Sequence, residues 1–240
     1  MLRLLLISFF NIIFLSSFAQ PGEGSIFGGI MYKTSGIGLA FQNKSETTRG
    51  FGRQIDVDFA SYHHPQEVKT FNSEVNNPTP YVYGKINKAA LLKIGYSVSY
   101  KISNFSDAQR VGIDVVAGGG LIAGFLKPVY INMIYPDVLG YETVVSEKYD
   151  PNKHTDKTRI AGYSDGRLGW SELSTKIGLH LQAGAGFNWG YYTNFPKRLE
   201  AGFFMEYFST GLPVMAITKN KILQEGIYVK LFFGRHSAKN

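Results

Sequence analysis

The amino-acid sequence predicts an all-β protein: an antiparallel, up-and-down transmembrane β-barrel of about eight strands, behind a cleaved signal peptide. Three observations carry that prediction. Long segments alternate apolar and polar residues with the period of a pleated strand. The polar stripe of each segment is small or sparsely charged, as a face enclosed in a narrow tube must be. After residue 20, no uncharged apolar run is long enough to cross a bilayer as a helix.

The elements follow in chain order. Residues 1–19 place Arg3 before an apolar core from Leu4 to Phe18, and Ser17-Phe18-Ala19 offers small residues for a cut before Gln20. The residue after that cut is not cysteine, so no lipid is attached there. Residues 20–240 then read as one barrel domain. Ile37, Leu39 and Phe41 alternate with glycine, alanine and Gln42. Ile55, Val57 and Phe59 alternate with Gln54, Asp56 and Asp58. A long strand runs over 90–102, with Ala90, Leu92, Ile94, Tyr96, Val98 and Tyr100 on its apolar face. Val111, Ile113, Val115 and Ala117 open another, which the glycine-rich run Gly118-Gly119-Gly120 continues; glycine there permits curvature or close approach of another segment. Residues 176–189 carry Ile177, Leu179, Leu181, Ala183, Ala185, Phe187 and Trp189 on one face. Ala201/Phe203/Met205/Tyr207 and Ile227/Val229/Leu231/Phe233 complete the series. Seven strands are legible. Outer-membrane barrels usually have an even number, so an eighth is expected around Pro213–Ile217 or within 129–164.

If the apolar stripes face lipid, the lumen receives Asp56, Asp58, Asp114, Glu200 and Glu206 together with Lys93, Lys101, Arg110, Lys176, Arg198 and Lys230. Near-balance of charge in so narrow a tube predicts a salt-bridged, plugged interior and not an open pore. Aromatic clusters at Trp170, Trp189-Gly190-Tyr191-Tyr192, Tyr207-Phe208 and Phe232-Phe233 suit the head-group boundary. Two connections are long, roughly 63–87 and 127–171. Counted with 25–42 as a single strand and no strand within 127–171, strand parity puts both on the side of the N-terminus, which is the periplasm; a count off by one moves one or both to the cell surface. Their tyrosine, proline and charge suit docking to an envelope protein partner.

Composition excludes several function classes. With no cysteine there is no disulfide framework, thiolate metal site or cysteine nucleophile. The net charge of +7 is scattered without a nucleic-acid motif, so the excess points to anionic lipid head groups and not to nucleic acid. Gly162-Tyr163-Ser164-Asp165-Gly166 matches the nucleophile elbow of hydrolases, yet no amphipathic helix follows it and its residues are ordinary turn formers. The histidines, His63, His64, His154, His180 and His236, have no zinc-ligand spacing, and His180 falls on the lumen stripe as a hydrogen-bonded filler. No catalytic, cofactor-binding or metal-binding residue is assigned. The function expected is that of a non-enzymatic structural or accessory subunit of an envelope secretion or assembly complex. Passive transport and lipid modification through Ser164 and His154 are the alternatives.

In general pattern the chain resembles small outer-membrane β-barrels of the OmpX/OmpW kind. More closely, it resembles an uncharacterised family of outer-membrane β-barrels from Gram-negative bacteria that use type IX secretion. The segments that carry the resemblance are Gly28-Gly29-Ile30, Thr34-Ser35-Gly36-Ile37-Gly38, His64-Pro65-Gln66-Glu67, Tyr81-Val82-Tyr83-Gly84-Lys85, Leu126-Lys127-Pro128-Val129-Tyr130 and Tyr149-Asp150-Pro151-Asn152-Lys153-His154. They span most of the chain after the leader, and none is a catalytic signature. The resemblance implies an outer-membrane location and no assigned reaction, so no functional residue is carried over. The chain departs from a terminal aromatic, ending at Lys239-Asn240.

Overall fold

Period-two alternation becomes strands wherever both stripes find a partner, one in the lumen and one outside. The computed structural model describes residues 24–46, 50–75, 79–103, 111–136, 142–189, 195–216, 218 and 220–236. The expected leader at 1–19, Arg110, Gly190-Tyr191-Tyr192, Ile217 and Lys239-Asn240 lie outside the described residues. In chain order the strands are β1 (Gly24–Lys33), β2 (Gly36–Glu46), β3 (Phe51–Tyr62), β4 (Lys69–Thr70) and β5 (Tyr81–Val82). Next come β6 (Asn87–Lys101), β7 (Gly112–Pro128), β8 (Tyr130–Pro136), β9 (Glu142–Lys148) and β10 (Ile160–Tyr163). The last three are β11 (Ser174–Trp189), β12 (Lys197–Phe208) and β13 (Leu223–His236).

Eight of these close an antiparallel barrel in the order β1-β13-β12-β11-β7-β6-β3-β2, each paired with its neighbour in sequence among the wall strands. Closure comes from β1 against β13, in a register running from Ser25↔His236 to Lys33↔Tyr228. The fold class expected from the sequence is therefore the one observed. Every stripe assigned outward faces outward: Ile177 is 70% exposed, Leu121 62% and Phe203 72%, whereas Asp114, Arg198 and Glu200 on the opposite stripe are fully buried.

Three expectations are corrected. The eighth strand is β1, not Pro213–Ile217 and not a segment of 129–164. Of the first, residues 212–216 run irregularly across one barrel mouth. The second folds into a separate three-stranded sheet of order β10-β8-β9. Because 24–46 is two strands joined by a tight turn at Thr34-Ser35, the parity argument reverses. Both long connections emerge at the end opposite to the N-terminal start of β1 and the C-terminal end of β13. Finally, Tyr207 and Phe233 point out as expected, but their neighbours Phe208 and Phe232 are buried inside the tube. Consecutive strand residues face opposite ways, so an aromatic pair cannot share one boundary.

The tube is filled by matching large residues with small ones across strands. A Cβ on Gly202 would lie 2.2 Å from the Ala183 carbonyl oxygen and 2.5 Å from the Cα of Gly184. Backbone cannot step aside, so β11 and β12 approach this closely only with glycine there. Gly28, on the outer face, would place its Cβ at an ordinary 3.6 Å from the Phe41 ring. Gly202→Ala is therefore expected to lower the unfolding free energy of the detergent-folded barrel by about 1–3 kcal/mol in urea titration, and Gly28→Ala to leave it within experimental error.

Candidate functional site

The lumen is built from the inward stripe of every wall strand. Asp58 on β3 is met by two lysines: Lys230 Nζ from β13 at 2.9 Å and Lys93 Nζ from β6 at 3.0 Å. One turn of the network away, Arg198 on β12 binds Asp114 of β7 at 2.8 Å and Glu200 at 3.0 Å, while Lys44 of β2 reaches Asp114 at 2.6 Å. Lys33 of β1 pairs with Glu206 of β12 at 2.8 Å. Asp56 accepts from Gln42 at 2.9 Å and from the Ser97 hydroxyl at 2.5 Å, and the Tyr228 hydroxyl donates to Glu200 at 3.0 Å. All these side chains are almost wholly buried. Of the lumen charges expected from the sequence, Lys101 and Lys176 are only half-buried. Lys33 and Lys44 are additional members that the sequence reading did not single out. His180 does fill the lumen, packed against Gly95, but neither ring nitrogen has a hydrogen-bond partner among the described residues. The filler role is as expected; a protein hydrogen-bond partner for its ring is not seen among the described residues.

One mouth is sealed by chain. Leu212, Val214 and Met215 enter a cluster with Tyr62, Leu91, Ile122, Leu126 and Phe208. Gly124 makes room for them, since a Cβ there would sit 2.8 Å from Leu212 Cδ2. The same segment ties upward: Ile86 N–H donates to the Val214 carbonyl at 2.9 Å and Ala216 N–H to that of Gly84 at 2.8 Å.

Above this seal the two long connections form one folded headpiece. Tyr81, Val129, Ile131, Met133, Tyr149 and Ile160 make its core. Asn72, buried, donates to the carbonyls of Thr158 at 2.6 Å and Ile160 at 3.2 Å, stitching the first connection to the second. The Val82 N–H donates to the Tyr163 hydroxyl at 3.0 Å, and burial pushes that phenol up to about 12. Between the two connections lies a recessed surface of about 370 Å³, where Lys157 covers the Tyr83 ring at 4.2 Å and Val68 and Phe71 stand exposed on the rim.

The motif residues take structural places here. Ser164 bonds the Ser146 hydroxyl at 2.7 Å, and Asp165 accepts from the Arg167 N–H at 2.9 Å, which makes a turn. A short strand, β10, does precede Ser164, but the chain continues into turns and a single 3-10 turn at Trp170–Glu172, not a helix. His154 Nδ1 accepts from the Asp150 N–H at 2.9 Å and its other nitrogen faces Glu147 at 3.4 Å, so it closes the loop that follows β9. His236 meets the Ser25 hydroxyl at 3.0 Å at the far end of the wall. Among the described residues no group of three or more histidines and carboxylates is placed to hold a metal ion.

No protein-family model matches the chain, and no curated protein matches it. Among solved structures it is similar to Neisserial surface protein A, at 13% identity and a TM-score of 0.39 over 92% of this chain and 98% of that one. It is similar to Ail, the attachment invasion locus protein of Yersinia pestis, at 12% identity and 0.41 over 91% and 100%. A third likeness is to a major outer membrane protein from Thermus thermophilus, at 13% identity and 0.47 over 91% and 100%.

Two predictions follow from this geometry. Asp58→Ala removes the carboxylate that Lys93 and Lys230 share, leaving Glu206 at 3.9 Å from the first and Gln182 at 3.3 Å from the second, and is expected to destabilise the barrel by about 3–5 kcal/mol in urea. Asp165→Ala, at the exposed turn, is expected to change it far less. In the headpiece, burial holds His64 below its ordinary value of 6.5, against the pull of Glu67, and Gln66 N–H donates to His64 Nδ1 at 3.2 Å. The unfolded chain therefore takes up this proton first. The stability from neutral His64 is complete above pH 6.5 and is lost as the pH falls through that value toward the lower folded one. By NMR the His64 ring is expected to titrate below 6.5 with the Gln66 amide shifting at the same midpoint, and His64→Phe to abolish the Gln66 response.

Proposed function

We propose that the protein is an integral outer-membrane β-barrel that works as a non-enzymatic accessory subunit, offering its headpiece to a protein partner in the cell envelope. The observation that carries this reading is the inversion of an ordinary soluble barrel. Large apolar side chains cover the outside of the wall and paired charges fill the inside. Such a wall is stable where hydrocarbon surrounds it, and a closed barrel leaves no backbone edge unpaired there. The strands, from 10 residues in β1 to 17 in β7, suit a tilted crossing of about 9–11 residues with some excess.

Outer-membrane barrels keep short turns on the periplasmic side and long connections outside. By that rule the start of β1 and the end of β13 face the periplasm and the headpiece faces the cell exterior. The packed headpiece, with its recessed rim of Val68, Phe71 and Tyr83, favours recognition of a protein surface over lining a path for solutes. The filled lumen weighs against passive transport, and the structural bonding of Ser164 and His154 weighs against lipid modification. The resemblance to barrels of type IX-secreting bacteria makes a secretion complex the first partner to test.

The orientation is tested with a single introduced thiol, because the native chain has none. Asp150→Cys is expected to react with an impermeant maleimide on intact cells, and Ser103→Cys only after the outer membrane is opened; the reverse pattern would turn the barrel over. Replacing 131–170 by a short flexible linker is expected to leave the barrel inserted while a co-purifying partner is lost. Ser164→Ala and His154→Ala are expected to leave the lipid A and phospholipid profiles unchanged.

A further inference from the structure

The outward face of β6 is apolar from Tyr100 through Val98, Tyr96, Ile94 and Leu92 to Ala90, and that of β7 from Ile113 to Phe125. The next outward pair is Lys88 and Lys127, which stand directly opposite each other in the β6–β7 register. Like charges at such a cross-strand position repel. Among the described residues neither lysine has a carboxylate partner. Their contacts are aromatic rings and a carbonyl instead. Lys88 Nζ lies 4.7 Å from the centre of the Tyr163 ring and Lys127 Nζ 4.9 Å from that of Trp170, and Lys127 also donates to the Gly166 carbonyl. The nearby acids are engaged elsewhere: Asp165 with the Arg167 N–H, Glu172 with Lys148 and Tyr130, and Glu67 with Lys85.

The headpiece adds a second feature at this height. Its 164–173 segment returns to the wall beside β7, as Ser174 pairs with Leu126 next to Lys127. It brings Arg167, exposed, and the exposed apolar side chains Leu168, Trp170 and Leu173. Cations and apolar anchors therefore share one level, directly above a wall of Ala90, Leu92, Phe125 and Ile177.

We propose that the rim formed by Lys88, Lys127 and the 164–173 segment binds the phosphate of a membrane lipid. The acyl chains would lie along the wall below and the phosphate between the two ammonium groups. An anion there cancels the repulsion that the register builds in, and two ammonium groups flanking one phosphate make charge-assisted hydrogen bonds. The site rests on the membrane reading proposed above, and the lipid's own phosphate, held at a fixed depth by its chains, is the source that the apolar neighbours select.

The test uses the full chain, reconstituted in phosphatidylcholine vesicles with a minor fraction of phosphatidic acid and released for native mass spectrometry. The wild type is expected to retain phosphatidic acid enriched about tenfold over its vesicle fraction. Lys88→Gln/Lys127→Gln is expected to fall to the vesicle ratio while Lys69→Gln/Lys153→Gln keeps the enrichment. Inorganic phosphate at millimolar concentration is expected not to displace the lipid. Insertion is read separately from the heat-dependent gel shift of the folded barrel. Enrichment that survives in the Lys88/Lys127 variant, displacement by inorganic phosphate, or an inserted wild type with no preference would each overturn the lipid site. A chain that does not insert would overturn the membrane reading and the site together.

Discussion

Charge enclosed in a narrow tube must be paired, and that constraint governs the rest of the molecule. An eight-stranded wall leaves room for little beyond its own side chains. Among the described residues, five acids and five bases are buried in that room, namely Asp56, Asp58, Asp114, Glu200 and Glu206 with Lys33, Lys44, Lys93, Arg198 and Lys230. Each basic member touches an acid from another strand, so the network acts as a set of cross-braces between distant parts of the wall. The braces also need space, and small inward residues provide it. A Cβ on Gly186 would collide with both Asp114 and Arg198. Packing and electrostatics therefore constrain the same positions.

With the lumen so filled, the surfaces left open to other molecules are the ends and the outside. One end is closed by the 212–216 segment, which is at once the lid of the barrel and the floor of the headpiece. Leu212 inserts into the wall beside Gly124, while Val214 and Ala216 exchange backbone hydrogen bonds with residues 84–87. Lys85, buried, adds an ion pair with Glu67 at 2.5 Å. The headpiece is thus seated on a rigid base, which is what a recognition surface requires if its geometry is to be specific.

Reading the chain in order recovers most of the wall, and it fails at β1 for a definable reason. In the segment Gly24–Lys33 the inward stripe carries Phe27 and Met31, which pack with Ala40, Ala60 and Phe232 in an apolar patch of the lumen. Between its polar ends, Ser25 and Lys33, that stripe is Phe27, Gly29 and Met31, so the middle of the strand has little contrast to detect. A single overlooked hairpin then moves both long connections to the other end. The headpiece hid for the opposite reason. All of β9 except Glu147 is exposed, and β4 and β5 are two residues each, so neither has a periodicity of its own.

The sequence by itself determined the class of fold, the two faces of seven strands and the near-neutral lumen. These follow from alternation along a single strand, a property carried by residues two apart. Only the tertiary structure decided which charges meet, where the start of β1 and the end of β13 lie relative to the headpiece, and that two irregular-looking connections share one core. Lys33 finds Glu206 across 173 residues and Lys230 finds Asp58 across 172. Such pairings depend on closure of the sheet and its register, which no local pattern encodes.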